Sequence, residues 1–210
     1  TAHAYQSIWP FDTKFWEKDT SVGRSMVSRS SLFLNQWLMA RLGEEISPQS
    51  TFTRFKSFME HDTDESMKDV LVQIRDQAEM YQRWWENSAT TDQALDRTSM
   101  CFYRLSALDS QILKPLIIWL YAPHRGLAQA EIDRTIAIAE SWVMRRAMLR
   151  LSFGDLGRVL AGLLRGLSGV ANDEVAAHVE NQLALLNTNG TYWPGDEEVR
   201  RSLLSEPVYR

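Results

Sequence analysis

Arginine is where this sequence concentrates its chemistry. Between Ser141 and Ser168 stand Arg145, Arg146, Arg150, Arg158 and Arg165, against Asp155 alone. A guanidinium is a planar fork of N–H donors that grips phosphate or carboxylate two bonds at a time, so such a run is either an anion-facing surface or one side of internal ion pairs. The rest of the chain supplies the second possibility. From Glu44 to Asp96 there are twelve acidic residues against five basic ones, and the whole chain carries a net charge of −4. The molecule is therefore expected to be polarised, with a basic segment inside an acidic protein.

Other reactive groups do not assemble in the sequence. His3, His61, His124 and His178 lie in separate segments and none has a second ligand at a metal-binding helical spacing. His61 and Asp62 sit beside Asp64 and Glu65, a cluster that an exposed acidic helix start explains without a metal. Gly162 and Gly166 fall in a helical pattern and no Gly-x-x-x-x-Gly-Lys loop occurs, so nucleotide binding is not expected. Cys101 is the single cysteine; it excludes an internal disulfide and reads as a small apolar residue in the run Met100-Cys101-Phe102-Tyr103. Asn189-Gly190-Thr191 reads as a turn. The expectation is a chain with no catalytic, cofactor-binding or metal-ligating residues of its own.

Stepping along the segments that must position the arginines gives an all-α reading: an irregular bundle of about nine helices, with no strand pattern long enough to suggest a sheet. Ten Gly and six Pro in 210 residues agree with long helices. Residues 1–20 form a leading segment with a short helix capped by Asp12, 21–31 a Ser-rich mobile linker, and 32–210 the bundle. A helix over Ser31 to Leu42 stops at Gly43, Ser47-Pro48 opens the next, and Asp62 with Glu65 resembles a capping box. After it Met67, Leu71, Ile74, Ala78, Tyr81 and Trp85 alternate in steps of four and three, a seam that needs a partner inside the bundle. Asp92 opens a further helix, and one from Ser110 to Tyr121 is expected to kink at Pro115.

The helix over Ala128 to Leu151 places Ile132, Ile136, Ala139 and Val143 on one face, and that face continues through Arg146, Ala147 and Arg150. Arginines on a core-directed stripe need partners. Glu140, Glu174 or Glu180, or stacking on Trp142, would serve; so would a neighbouring domain or DNA phosphate. Asp155 caps the following helix, in which Leu156, Val159, Leu160, Leu163, Leu164 and Leu167 face the core while Arg158 and Arg165 point away. Asn172 caps a helix through Leu186, and Pro194 with Asp196 introduces a last one ending near Pro207.

No apolar run approaches the roughly 18 residues of a membrane span. The lone cysteine and the absence of a signal-like segment after Thr1 imply a cytoplasmic setting, and the opening without Met reads as an excised piece of a longer polypeptide.

Several stretches, in this order, are similar to a known family: Trp9-Pro10-Phe11-Asp12 with Phe15-Trp16, Phe102-Tyr103-Arg104-Leu105, Leu113-Lys114-Pro115-Leu116, Glu140-Ser141-Trp142-Val143-Met144-Arg145-Arg146, and Trp193-Pro194-Gly195-Asp196-Glu197-Glu198 with Pro207-Val208-Tyr209. Together they resemble the helical region of GmrSD-type restriction endonucleases, the modification-dependent or phosphorothioation-sensing nucleases of antiphage defence. The resemblance implies a ParB-like domain before this region, using NTP through an Asp-Gly-Gln-Gln-Arg type motif, and an HNH nuclease domain after it that uses a divalent metal. Neither motif occurs in these residues, so no catalytic residue carries over. What it implies for this chain is a helical connector joining those flanking domains and touching DNA; the exposed arginines of the basic run suggest that it transmits state between the domains and presents Arg145, Arg158 and Arg165 to the backbone of double-stranded DNA. The alternative is a structural or homo-oligomerisation module without DNA contact.

Overall fold

Ten α-helices and one two-stranded hairpin form among residues 8–22, 25–90 and 92–205, which are the residues this computed structural model describes. The chain enters through a one-turn helix, α1 (Lys14–Glu17), whose Trp16 is buried edge-on against Phe11 and tilted against Phe33. Strands β1 (Asp19–Val22) and β2 (Ser25–Ser28) then pair antiparallel with Thr20 opposite Val27. The expected linker over 21–31 is thus a hairpin running into a helix. Its serines read as mobile but have structural uses: Arg29 N–H closes the hairpin on the Lys18 carbonyl, and Ser28 Oγ accepts from Ser31 N–H as the cap of α2 (Arg29–Leu42).

α2 is buried on nearly every side, and the structure lines it with polar groups that fix its neighbours. Trp37 Nε1 donates to Gln77 Oε1 at 2.8 Å, Gln77 Nε2 donates to the Ile118 carbonyl at 2.8 Å, and Tyr81 OH donates to Gln36 Oε1 at 2.9 Å. These bonds run between α2, α4 (Met67–Ser88) and α6 (Lys114–Leu120). The helix stops at Gly43, as expected, in the left-handed region with φ of 62°.

A 3-10 turn (Pro48–Ser50) with Ser47 ahead of it leads into α3 (Thr51–Ser57), which ends in a π-helical turn (Phe58–Asp62). Asp62 does not cap α4. Its carboxylate takes the Arg54 guanidinium at 2.6 Å, Glu65 pairs with Arg41, and Ser66 Oγ accepts from Asp69 N–H to start the helix. On α4 the seam residues Leu71, Ile74, Ala78 and Tyr81 are buried within the bundle, while Met67 remains exposed.

α5 (Arg97–Ala107) is capped by Asp96, whose Oδ1 accepts from Ser99 N–H at 2.7 Å, and not by Asp92. Nor does Pro115 kink a helix. It occupies the first turn of α6, where its missing N–H has no partner to lose. α7 (Gln129–Met148) packs along α9 (Val175–Ala184) and also meets α5 and α10 (Asp196–Ser205); α8 (Leu156–Gly166) packs on α2 and α6. Asn172 is not the cap of α9: its Nδ2 donates to the Arg125 carbonyl, and Glu131 of α7 accepts from Ala176 N–H at 2.7 Å instead. One continuous apolar cluster runs from Phe11 to Leu183. The expected end near Pro207 and His3 lie outside the described residues.

Candidate functional site, a set of arginine clamps

The apolar face of α7, with Ile132, Ile136, Ala139 and Val143 buried, does lead into Arg146, and this guanidinium is fully enclosed. Its partners are not carboxylates. Nη1 donates to the Tyr192 carbonyl at 2.8 Å, and Nη2 donates to the carbonyls of Ser152 and Gly190 at 2.8 Å each and, at 3.3 Å, to that of Asn189. These oxygens belong to irregular segments with no helical donor of their own, so one rigid fork collects acceptors that the local backbone does not satisfy. Arg146 also lies over the Tyr192 ring at 5.6 Å, and burial lowers its pKa from the ordinary arginine value.

Glu140, Glu180 and Trp142, all expected to hold it, are engaged elsewhere. Glu140, itself buried, takes Arg97 and Arg104, the latter at 2.8 Å, and so ties α5 to α7. Glu180 faces Arg134 at 3.6 Å, and Trp142 Nε1 donates to the Thr191 carbonyl at 2.8 Å.

Arg145 works beside Arg146. It donates to Ser141 Oγ and to the Pro194 carbonyl, both at 3.0 Å, and pairs with Asp196 at 2.5 Å in the first turn of α10. The two arginines therefore fasten the segment from Asn189 to Asp196 onto α7. Arg165 reaches away from them and donates to the Gly43 carbonyl at 2.8 Å, closing the end of α2. Arg150 is exposed, contrary to its expected place on the core face, because α7 ends at Met148 and Arg150 turns into the left-handed region with φ of 55°. Arg158 is 80% exposed, with Asp155 at 4.0 Å. The five residues do not form one surface.

Two features were not read from the sequence. Lys114 is fully buried, with Nζ 3.7 Å from the Trp85 ring centroid, 4.8 Å from Phe102 and 5.4 Å from Tyr81. Burial first, and the charge of Arg29 second, push its amine well below the ordinary lysine range. The available signal was a single lysine inside the apolar run Ile112 to Leu120. The second is an apolar opening of about 650 Å³ lined by Leu34, Phe52, Phe55, Met67 and Leu71, where Phe52 is 80% exposed.

Among the described residues, no group of three or more His, Cys, Asp and Glu side chains is placed to hold a metal ion. Cys101 is buried, and burial followed by the nearby Glu140 charge pushes its thiol up to about 12. No described helix is long and apolar enough to cross a membrane. No family model, curated protein or solved structure matches this chain.

Proposed function

We propose that the chain is a helical connector in a GmrSD-type, modification-dependent DNA restriction endonuclease, holding flanking domains in fixed positions while those domains hydrolyse nucleotide and cleave DNA. The order of sequence stretches that resembles this family is one support. The structural observation that carries the connector role is the Arg146 clamp. A connector must resist hinging between its ends, and a buried guanidinium bonded to two backbone segments, the turn at Ser152 and the stretch from Asn189 to Tyr192, fixes the chain leading to α10 against the central helix α7.

DNA contact is the smaller part of the reading. Arg145, Arg146 and Arg165 direct donors to carbonyls within the protein, whereas Arg158 on α8 is 80% exposed, where a phosphate can reach it. An oligomerisation role through the α4 seam is disfavoured, because that seam is already buried against the protein's own helices.

Two measurements test the proposal. Spin labels at Phe52→Cys and Leu204→Cys, both more than four-fifths or about four-fifths exposed in the parent, can be attached selectively because Cys101 is buried. A connector gives one narrow distance distribution; a broad or multiple one overturns it. Peptide mapping of the intact native polypeptide should find the Gln-Gln-Arg type motif before these residues and the HNH motif after them. A native polypeptide with neither refutes the family assignment.

A further inference from the structure

A second polar cluster lies far from the clamps in sequence, where the end of α2 faces the turn after α6. There a small cleft of about 70 Å³ is lined by Arg41, Trp37, Trp119, His124 and Arg125, together with Gln77 and Ile118. The amide of Gln77 and the indole N–H of Trp37 are already bonded to each other and to the Ile118 carbonyl, so they do not seek a ligand. The arginines differ. Arg41 pairs with Glu65, whose other oxygen takes Gln73, and its guanidinium rests 5.6 Å from the Trp37 ring. Among the described residues Arg125 has no carboxylate partner and its buried Nε no hydrogen-bond partner; its guanidinium lies 4.2 Å from the Trp119 ring centroid.

Charge at the cleft is therefore unbalanced, with two guanidiniums against the single carboxylate of Glu65. The imbalance is felt locally. After burial, Arg41 is the cause that lowers Arg125, and Arg41 with Arg125 lowers His124 against the opposing pull of Glu65. An anion seated among them would accept from the guanidinium Nη groups of Arg125 and Arg41, offset the repulsion between the arginines and favour protonation of His124.

We infer that this cleft is a binding site for one small free oxyanion of the sulfate or phosphate class, held by Arg125 and Arg41 over the Trp119 and Trp37 rings. Its size sets the class. A cleft of about 70 Å³ has room for a few waters or one such ion, whereas ligands the size of a nucleotide need several hundred Å³. The sugar-phosphate backbone of DNA does not fit, which separates this site from any surface used by the connector.

Sulfate is the suitable probe because its charge does not change near neutral pH. Titrated at constant ionic strength, it should raise the melting temperature of the 210-residue chain along a saturating curve and shift the Arg125 Nε–H resonance. Arg125→Met should abolish the saturating rise, while Arg158→Ala, which removes a surface arginine of the same charge, should keep it. Tightening of sulfate binding by several-fold on acidification is expected as His124 becomes charged among Arg41, Arg125 and Glu65. An equal, non-saturating rise in both variants overturns the site. So does an unmoved Nε–H resonance in the unmodified protein, which remains decisive if Arg125→Met does not fold. Stoichiometric displacement of sulfate by duplex DNA would overturn the assignment to a free ion.

Discussion

Replacing Arg146 by Met removes the fork while keeping most of the apolar stem. Three carbonyl oxygens, those of Tyr192, Ser152 and Gly190, then lose donors that now stand at 2.8 Å. Each buried acceptor left open costs about 1–3 kcal/mol. Ser152 is exposed enough to be rehydrated, and burial of the charge itself is relieved, so the net loss should be about 3 kcal/mol and not the full sum. For a protein of this length that corresponds to a fall in melting temperature of roughly 6–12 °C. Arg146→Lys keeps a charge but offers a point donor that cannot span three acceptors, and should lose roughly half as much. Urea unfolding followed by tryptophan fluorescence measures both. Hydrogen exchange supplies the local readout, because amides of Thr191 and Tyr192, which bond to the Thr188 carbonyl, should exchange faster in both variants. An Arg146→Met protein within about 0.5 kcal/mol of the parent would refute the reasoning, since surface substitutions without a structural role fall in that range. Destabilisation without faster exchange between Thr188 and Ser205 would refute the clamp in particular.

Two further outcomes follow from the same contacts. Lys114 has a folded-state pKa below its unfolded one, so between the two values the unfolded chain binds more protons and stability must rise with pH, by at most about 1.4 kcal/mol per pH unit, up to the ordinary lysine pKa of about 10.4. Lys114→Met should raise stability at neutral pH by about 1–3 kcal/mol and remove that slope; parallel stability–pH curves for the two proteins would contradict it. At Gly43, φ of 62° and a would-be Cβ only 2.8 Å from the Arg165 backbone nitrogen make Gly43→Ala costly by about 2 kcal/mol or more, and an unchanged urea midpoint would show that the α2 end is looser than described.

The proposed family rests on an order of similar stretches in the sequence. The arginine run was legible as chemistry but not as a site. Arg146 did lie on the core face, yet its partners are carbonyls 6 to 46 residues away, and Arg150 left that face because the helix ended two residues earlier.

What the sequence determined by itself is local. Apolar side chains recurring within one helical turn set where α4, α7 and α8 bury their faces, and Gly43 stopped α2 because only a residue without Cβ enters the left-handed turn at little cost. The tertiary structure decided which polar groups meet. Glu140 could have served Arg146 on its own helix, but the enclosed space around it belongs to Arg97 and Arg104 of α5. The 21–31 stretch gave no strand signal because its pairing rests on backbone hydrogen bonds and not on an alternating apolar face. Guanidiniums and carboxylates bond whatever complementary group the packed helices bring within reach, and that proximity is written in no single segment of the chain.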